Sequence, residues 1–442
     1  MRHDSVFQRL IKIIKRELRW FLPGMGVKRW LVFVLAGTTL LGVGLAFVLI
    51  DLYRTAPDTW WLPALSILSL RFLDRIFRAL VFGAIGVGLI VFGIYGLNRA
   101  LLKPFMPRGQ RLVDAVSAYR RKDRGPRIVV VGGGNGLSSL LRGLKEHTSN
   151  LTAIVTVADD GGSSGELRRN MGILPPGDLR NCLTALSNDE DMMSKIFQYR
   201  FASDSGLQGH SVGNLLITAL ADITGSFETA IAESGRVLAV QGQVLPATLH
   251  NVCLVADISA AEGDVRVSGE SNIPKTKGKI TRVWLEPNNP LAYPPSIQAI
   301  LSADLIIVGP GSLYTSILPN LLVPDLTEAL RASRALKFYI CNVATQEGET
   351  DGYSSSDHVK TIESHVRGRI FDLIICNNRI NIGLPEHIEL VTQDEELSLA
   401  YPVYAADLVD EENPWRHDSR KLAQTVMDVY YEKTGPLSPR DS

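Results

Sequence analysis

Only four cysteines occur in 442 residues, at Cys182, Cys253, Cys341 and Cys376, and no two of them form a C-x-x-C pair. That spacing excludes a local zinc or dithiol motif and fits reduced thiols acting as packing residues. Net charge is also lacking, with 46 Lys and Arg against 46 Asp and Glu, and there is no internal repeat. Neither a solenoid nor a broadly basic nucleic-acid binder is expected. The glycine cluster at Gly132, Gly134 and Gly136 lacks the third glycine of G-x-G-x-x-G, since Leu137 stands nearby instead, so an ordinary NAD enzyme is not indicated.

What is present begins with a split of charge. Residues 1–127 hold 21 Lys and Arg against 7 Asp and Glu, whereas residues 128–442 hold 25 against 39. The basic part contains two uncharged, mostly apolar runs, 31–50 and 79–97, each long enough to span a bilayer as a helix. Eight Lys or Arg precede the first run, nine lie from Arg99 to Arg127, and only four lie between the runs. The expectation is a two-pass hairpin in the inner membrane with both ends in the cytoplasm. Trp30, Trp60 and Trp61 suit interfacial anchors, and Ala84 with Gly88 would let the helices approach. No charge interrupts either run, so transport is not expected.

Four stretches are therefore distinguished: a membrane anchor at 1–104, a basic linker at 105–126, a folded domain at 127–435 and a short tail at 436–442. The linker's basic run, 120–124, lies beside anionic lipid in this reading, not on nucleic acid. The region 434–442 is rich in Pro and hydroxyl residues and is a candidate phosphate acceptor.

The folded domain reads as strand, turn and helix in alternation. Apolar, β-branched runs at 128–131, 152–158, 251–256, 305–308, 337–341 and 371–376 predict strands of a mainly parallel sheet covered by helices, hence an α/β, Rossmann-like fold. Residues 257–287 alternate instead, which predicts a small antiparallel β insertion with the lysines of 275–279 at a hairpin tip.

In such a sheet ligands bind beyond the carboxyl ends of the strands. Gly132, Gly133, Gly134, Asn135 and Gly136 follow the first strand and precede a helix over 137–145; bare amides there suit phosphate. Asp159 and Asp160 follow the second strand with Gly162, Ser163 and Ser164, a loop able to hold a ribose hydroxyl or Mg²⁺, or merely to close an Asx turn. Asp178 and Arg180 sit where another helix begins, as an N-cap and its surface neighbour or as a phosphate clamp. His210, Ser211 and Asn214 open a further helix, with His210 more at home as a structural residue than as a base. Gly309, Gly311 and Ser312, and then Thr345 and Gln346, complete five polar loops at one edge, a nucleotide-sized cleft.

These segments, in this order, resemble the gluconeogenesis-factor branch of the CofD-like, or 2-phospho-L-lactate transferase, family over about 127–435, with the membrane hairpin outside the resemblance. The resemblance implies a domain that binds a nucleoside diphosphate compound such as a UDP-sugar. It also implies a link to cell shape during gluconeogenic growth, with homo-oligomers and envelope-synthesis machinery as candidate partners. In the transferase branch a deazaflavin hydroxyl attacks the phosphorus of a lactyl-diphosphate-guanosine donor with Mg²⁺ present, which would make Asp159, Asp160 and Arg180 the catalytic candidates and Asp159 and Asp160 the Mg²⁺ ligands. Asp178, Leu179, Arg180 and the triple glycine look closer to the regulatory branch.

Overall fold

The computed structural model describes residues 125–187, 192–202, 206–380, 383–385 and 388–435 and, before these, only Thr38, Thr39, Gly42, Ala46, Asp74 and parts of 76–92. Met1–Arg120 and Arg121–Ser442 form separate compact units. The first apolar run, the linker and the tail beyond residue 435 lie almost wholly outside the described residues. Within the second run, residues 83–88 and 90–92 are helical, and Ile85, Val87, Val91 and Phe92 expose apolar side chains. Among the described residues no helix is long and apolar enough to cross a membrane.

The folded unit is built on a seven-stranded sheet. Its strands are β1 (Ile128–Gly132), β2 (Leu151–Val155), β3 (Gln243–Pro246), β7 (Leu305–Val308), β8 (Leu336–Ile340), β9 (Leu373–Asn377) and β10 (Val403–Ala406), in the spatial order β10-β9-β8-β7-β1-β2-β3. Every pairing in it is parallel. The chain runs outward from β1 to β3, then returns to lay β7 on the other side of β1, so the order reverses between β1 and β7. That reversal opens a crevice at the strands' carboxyl ends.

β1, β7 and β9 are buried along their whole length, as the apolar runs 128–131, 305–308 and 373–376 within them require. Five helices matter for the site: α1 (Gly134–Leu144), α2 (Gly162–Met171), α3 (Gly177–Leu186), α4 (Val212–Thr224) and α5 (Ser419–Thr434). On α1, Leu137, Leu140, Leu141 and Leu144 repeat at helical spacing and are fully buried. Each contributes roughly 1.5–3 kcal/mol of burial. The same helix packs against α3 and α5, and Gly143 lies too close to Ser419 and Ala423 for any side chain.

Between β3 and β7 an antiparallel sheet, β5-β4-β6, is inserted from β4 (Cys253–Ala260), β5 (Gly263–Ser268) and β6 (Lys279–Glu286). Two expectations are corrected here. The strand at 251–256 belongs to this insertion, not to the parallel sheet. The lysines of 275–279 do not tip a hairpin, because β5 and β6 flank β4 and do not pair; the connection crosses over and carries Glu270 and Ser271 to the large sheet's ligand edge. The sequence reading also missed β3 and β10, two four-residue edge strands with little β-branched character.

Candidate functional site

The helix behind the first strand starts at Gly134, three residues earlier than expected, so Gly134, Asn135 and Gly136 form its first turn. Its N-cap is Gly133, which supplies no side-chain cap. A Cβ on Gly133 would stand 2.6 Å from Asp178 Oδ2 and 2.9 Å from Thr156 Cγ2, and one on Gly136 would stand 2.6 Å from the Pro310 carbonyl oxygen. Main chain passes at Gly136, and the Asp178 and Thr156 side chains crowd Gly133, so a side chain at either position would displace a neighbour. Gly132 has only ordinary contacts. The loops after β1 and β7 therefore touch across the crevice.

The β7 loop is held from beneath. Asn342 bonds Gly311 twice, accepting from its amide at 3.2 Å and donating to its carbonyl at 2.9 Å. Buried Asn320 donates to the Gly132 and Ser316 carbonyls and so ties the two loops together. Leu313–Ile317 is a π-helical turn, a form that recurs at functional sites. Ser312 supplies no side-chain cap to the following helix; its hydroxyl donates to Gln346 Oε1 at 2.5 Å. Gln346 in turn donates to buried Glu349, which also accepts from Thr315 Oγ1 and the Tyr314 amide. Thr345 turns its amide and hydroxyl to the Glu389 carbonyl, which leaves Gln346 as the side chain of that loop joined to Ser312.

On the other side of β1, Asp159 closes an Asx turn by accepting from the Gly161 amide at 2.8 Å. The carboxylate of Asp160 turns to the insertion, accepting from the Ser271 amide at 2.9 Å and packing on Gly269. The two neighbouring aspartates thus diverge. Asp159 instead lies beside Gly177 and Ser164. Asp178 is not an N-cap, since that place is taken by Pro176; its Oδ2 accepts from the Gly134 amide at 2.8 Å.

Carboxylates crowd this edge, with Arg180 and Arg168 opposing their charge only in part. Burial, then the Asp159 charge, raises Asp178 to about 6, against the pull of the Gly134 amide and Arg180. Asp159 is raised chiefly by burial, with the Gly161 amide and Ser164 hydroxyl opposing. Glu270 reaches about 8 through burial followed by the charges of Asp159, Asp178, Glu349 and Asp160. Burial raises Glu349 to about 7. Glu270 and Glu349 escaped the sequence reading. The only signal for Glu270 was its setting among Ser268, Gly269, Ser271 and Asn272, a turn composition that did not reveal which edge it reaches.

Arg180 is buried, not a surface neighbour. Its Nη1 donates to Ser211 Oγ at 2.5 Å and Asn214 Oδ1 at 3.0 Å, its Nη2 donates to Asn181 Oδ1 at 2.8 Å, and its Nε is buried without a partner. Burial, helped by the Arg200 charge, lowers it to about 10. Ser211 caps α4 by accepting from the Asn214 amide. The five expected loops therefore gather at the carboxyl edge of one sheet, joined by direct contacts. Among the described residues no group of three or more His, Cys, Asp or Glu is arranged to hold a metal.

The family model described as 2-phospho-L-lactate transferase CofD matches residues 128–434. The chain belongs to the CofD family. Relatives named gluconeogenesis factor share 45% identity in Halalkalibacterium halodurans, over 68% of this chain and 95% of that protein, and 44% in Listeria monocytogenes, over 71% and 98%. A Nostoc protein provisionally given the same name is 42% identical over 94% of this chain and 93% of its own length, so that match reaches well into the N-terminal unit. Among solved structures, a member of the UPF0052 family from Bacillus halodurans is 45% identical with a TM-score of 0.64, covering 69% of this chain and 99% of that one. The α/β fold with its parallel sheet and the gluconeogenesis-factor resemblance are thus both upheld for this CofD-family chain.

Proposed function

We propose that this chain is a gluconeogenesis factor that binds a nucleoside diphosphate sugar, a UDP-sugar in the first instance, and regulates cell shape during gluconeogenic growth from the inner face of the cytoplasmic membrane. The observation that carries the reading is the meeting of the loops after β1 and β7 at the sheet's order reversal, where a side chain at Gly133 or Gly136 would displace a neighbour. Main-chain amides and a helix N-terminus at such a crevice favour a diphosphate.

A divalent cation fits the residues present. Asp159 and Asp178 are neighbouring hard oxygen donors whose affinity for protons is raised chiefly by burial and, for Asp178, next by the Asp159 charge. Mg²⁺ commonly uses one or two carboxylates and takes its remaining ligands from phosphate and water. It would neutralise the diphosphate as well as the two aspartates, while Asp160 fixes the insertion.

Anchoring by the hairpin at 31–50 and 79–97 is part of the same proposal, supported by the charge distribution and by the apolar side chains exposed along 85–92. It would hold the domain near envelope-synthesis machinery. A second reading, transfer of a phospholactyl group from a nucleoside diphosphate donor to a deazaflavin-like hydroxyl, draws on the paired carboxylates and the family description. Calorimetric titration of the full chain in detergent with UDP-N-acetylglucosamine, with and without Mg²⁺, tests the first reading, which expects saturable, Mg²⁺-strengthened binding. Release of GMP from a lactyl-diphosphate-guanosine donor only when a deazaflavin acceptor is added would favour the second.

A further inference from the structure

Three side chains beside the crevice form an arrangement that ligand binding alone does not require. Ser163 Oγ lies 2.9 Å from His210 Nδ1, and His210 Nε2 lies 3.4 Å from Glu166 Oε2. Asn214 Nδ2 donates to the same Ser163 oxygen at 3.0 Å. That oxygen can accept from Asn214 and still donate its own hydrogen to His210 Nδ1 in the tautomer that leaves Nδ1 unprotonated. The hydrogen on Nε2 faces Glu166. In that tautomer the row runs from serine hydroxyl through imidazole to carboxylate.

Two further features support reactivity over simple packing. Asn214 Oδ1 accepts from Arg180, so a guanidinium polarises the amide whose other end stabilises negative charge on Ser163 Oγ. Arg180 keeps a buried Nε without a partner, a donor left over for an anion. Ser163 and His210 are largely buried while Glu166 is half-exposed, so the row runs from interior to solvent. Ser163 also adjoins Ser164, which stands beside Asp159 at the crevice.

We propose that Ser163 is a nucleophile toward phosphorus, with His210 as its base and Glu166 as the orienting carboxylate, and that the protein cleaves the nucleoside diphosphate compound it binds. The cleavage half rests on the binding reading above; the reactivity of Ser163 does not. In the first step the Ser163 Oγ–P bond forms at the phosphorus distal to the nucleoside. The bond from that phosphorus to the bridging oxygen breaks, nucleoside monophosphate leaves with the bonding pair, and the serine proton passes to His210 Nδ1. Water then replaces Oγ at phosphorus, Oγ recovers its proton from His210, and the protons of the water pass to solvent. A regulator built this way discharges its own ligand.

The test treats the full chain in detergent with a small alkyl fluorophosphonate, which transfers its phosphorus to an activated serine with loss of fluoride, and locates the adduct by peptide mass spectrometry. Labelling at Ser163 is expected. His210→Asn should slow it on the order of a hundredfold and Glu166→Gln about tenfold. Absence of a Ser163 adduct on the unaltered chain, under conditions that label a serine hydrolase completely, overturns the proposal whatever the variants do. A parallel arm follows nucleoside monophosphate release from UDP-, ADP-, GDP- and CDP-linked sugars, with binding measured separately. Uridine monophosphate released from UDP-N-acetylglucosamine supports cleavage. Binding without release of any monophosphate overturns cleavage and spares the binding reading, whereas Ser163 labelling without binding of any of the four sugars removes the binding reading and cleavage with it.

Discussion

The Asp178 carboxylate accepts a 2.8 Å hydrogen bond from the amide of Gly134, the first residue of the helix behind the glycine cluster. One donor that could meet a phosphate is therefore held by the protein's own anion, and a cation is the natural means of reconciling the two negative groups. Asp178→Asn keeps an acceptor for Gly134 and removes the charge. Without Mg²⁺ this variant should bind UDP-N-acetylglucosamine about tenfold more tightly than the unaltered chain, ~1.4 kcal/mol. With Mg²⁺ the order should reverse. Calorimetry at both conditions checks it, and equal affinities throughout would remove Asp178 from the site.

Glycine identity should matter unequally along the cluster. Gly136→Ala places a methyl 2.6 Å from the Pro310 carbonyl and must push the β1 and β7 loops apart, whereas Gly132→Ala meets nothing closer than 3.8 Å. The first should cost about 1–3 kcal/mol in chemical denaturation and at least about tenfold in ligand affinity; the second should leave the loop spacing intact.

Stability should fall as pH rises from 6.5 to 8.5 in the absence of Mg²⁺. Glu349 near 7 and Glu270 near 8 hold protons in the folded state that the unfolded chain has already lost, so their contribution is full below the ordinary carboxylate range and disappears as pH passes those values. His417 acts in the opposite sense and lower down: depressed to about 4 by burial, it costs stability only as pH falls below 6.5. Thermal melting against pH should show the alkaline slope, Glu270→Gln should flatten it, and Mg²⁺ should stabilise more at pH 8 than at pH 6.5.

Arg180 is worth more to the fold than an exposed arginine. Arg180→Ala strands Ser211, Asn214 and Asn181, and should destabilise by about 3 kcal/mol in urea titration. Arg180→Lys, which cannot reach three partners in one plane, should recover only part of this.

Removal of residues 1–104 should move the protein from the carbonate-resistant membrane pellet to the soluble fraction without changing ligand affinity. Retention in the pellet would contradict the hairpin anchor.

The parallel sheet was legible because β1, β7 and β9 are apolar on both faces, a pattern local sequence carries in full. The five loops were legible for the related reason that glycine and small polar residues after such strands have few other uses. Long-range placement was not. Nothing in the sequence near Asp160 says that its carboxylate leaves its neighbour to hold Ser271, 111 residues away. The crossing of β5 to β6 over β4, which delivers Glu270, depends on strand order, which alternation of side chains does not encode. Arg180 looked exposed because a charged residue two positions from an aspartate at a helix start usually is. Its burial follows from Ser211 and Asn214, more than 30 residues further on.

Hydrogen exchange on the full chain, with and without saturating UDP-N-acetylglucosamine and Mg²⁺, addresses the central claim most directly because it reports which backbone amides the ligand covers. Protection should rise at 134–137 and 311–316 together, the two loops that meet at the order reversal of the sheet. Protection confined to other segments, or unchanged exchange at both loops while the ligand is bound, would contradict the account.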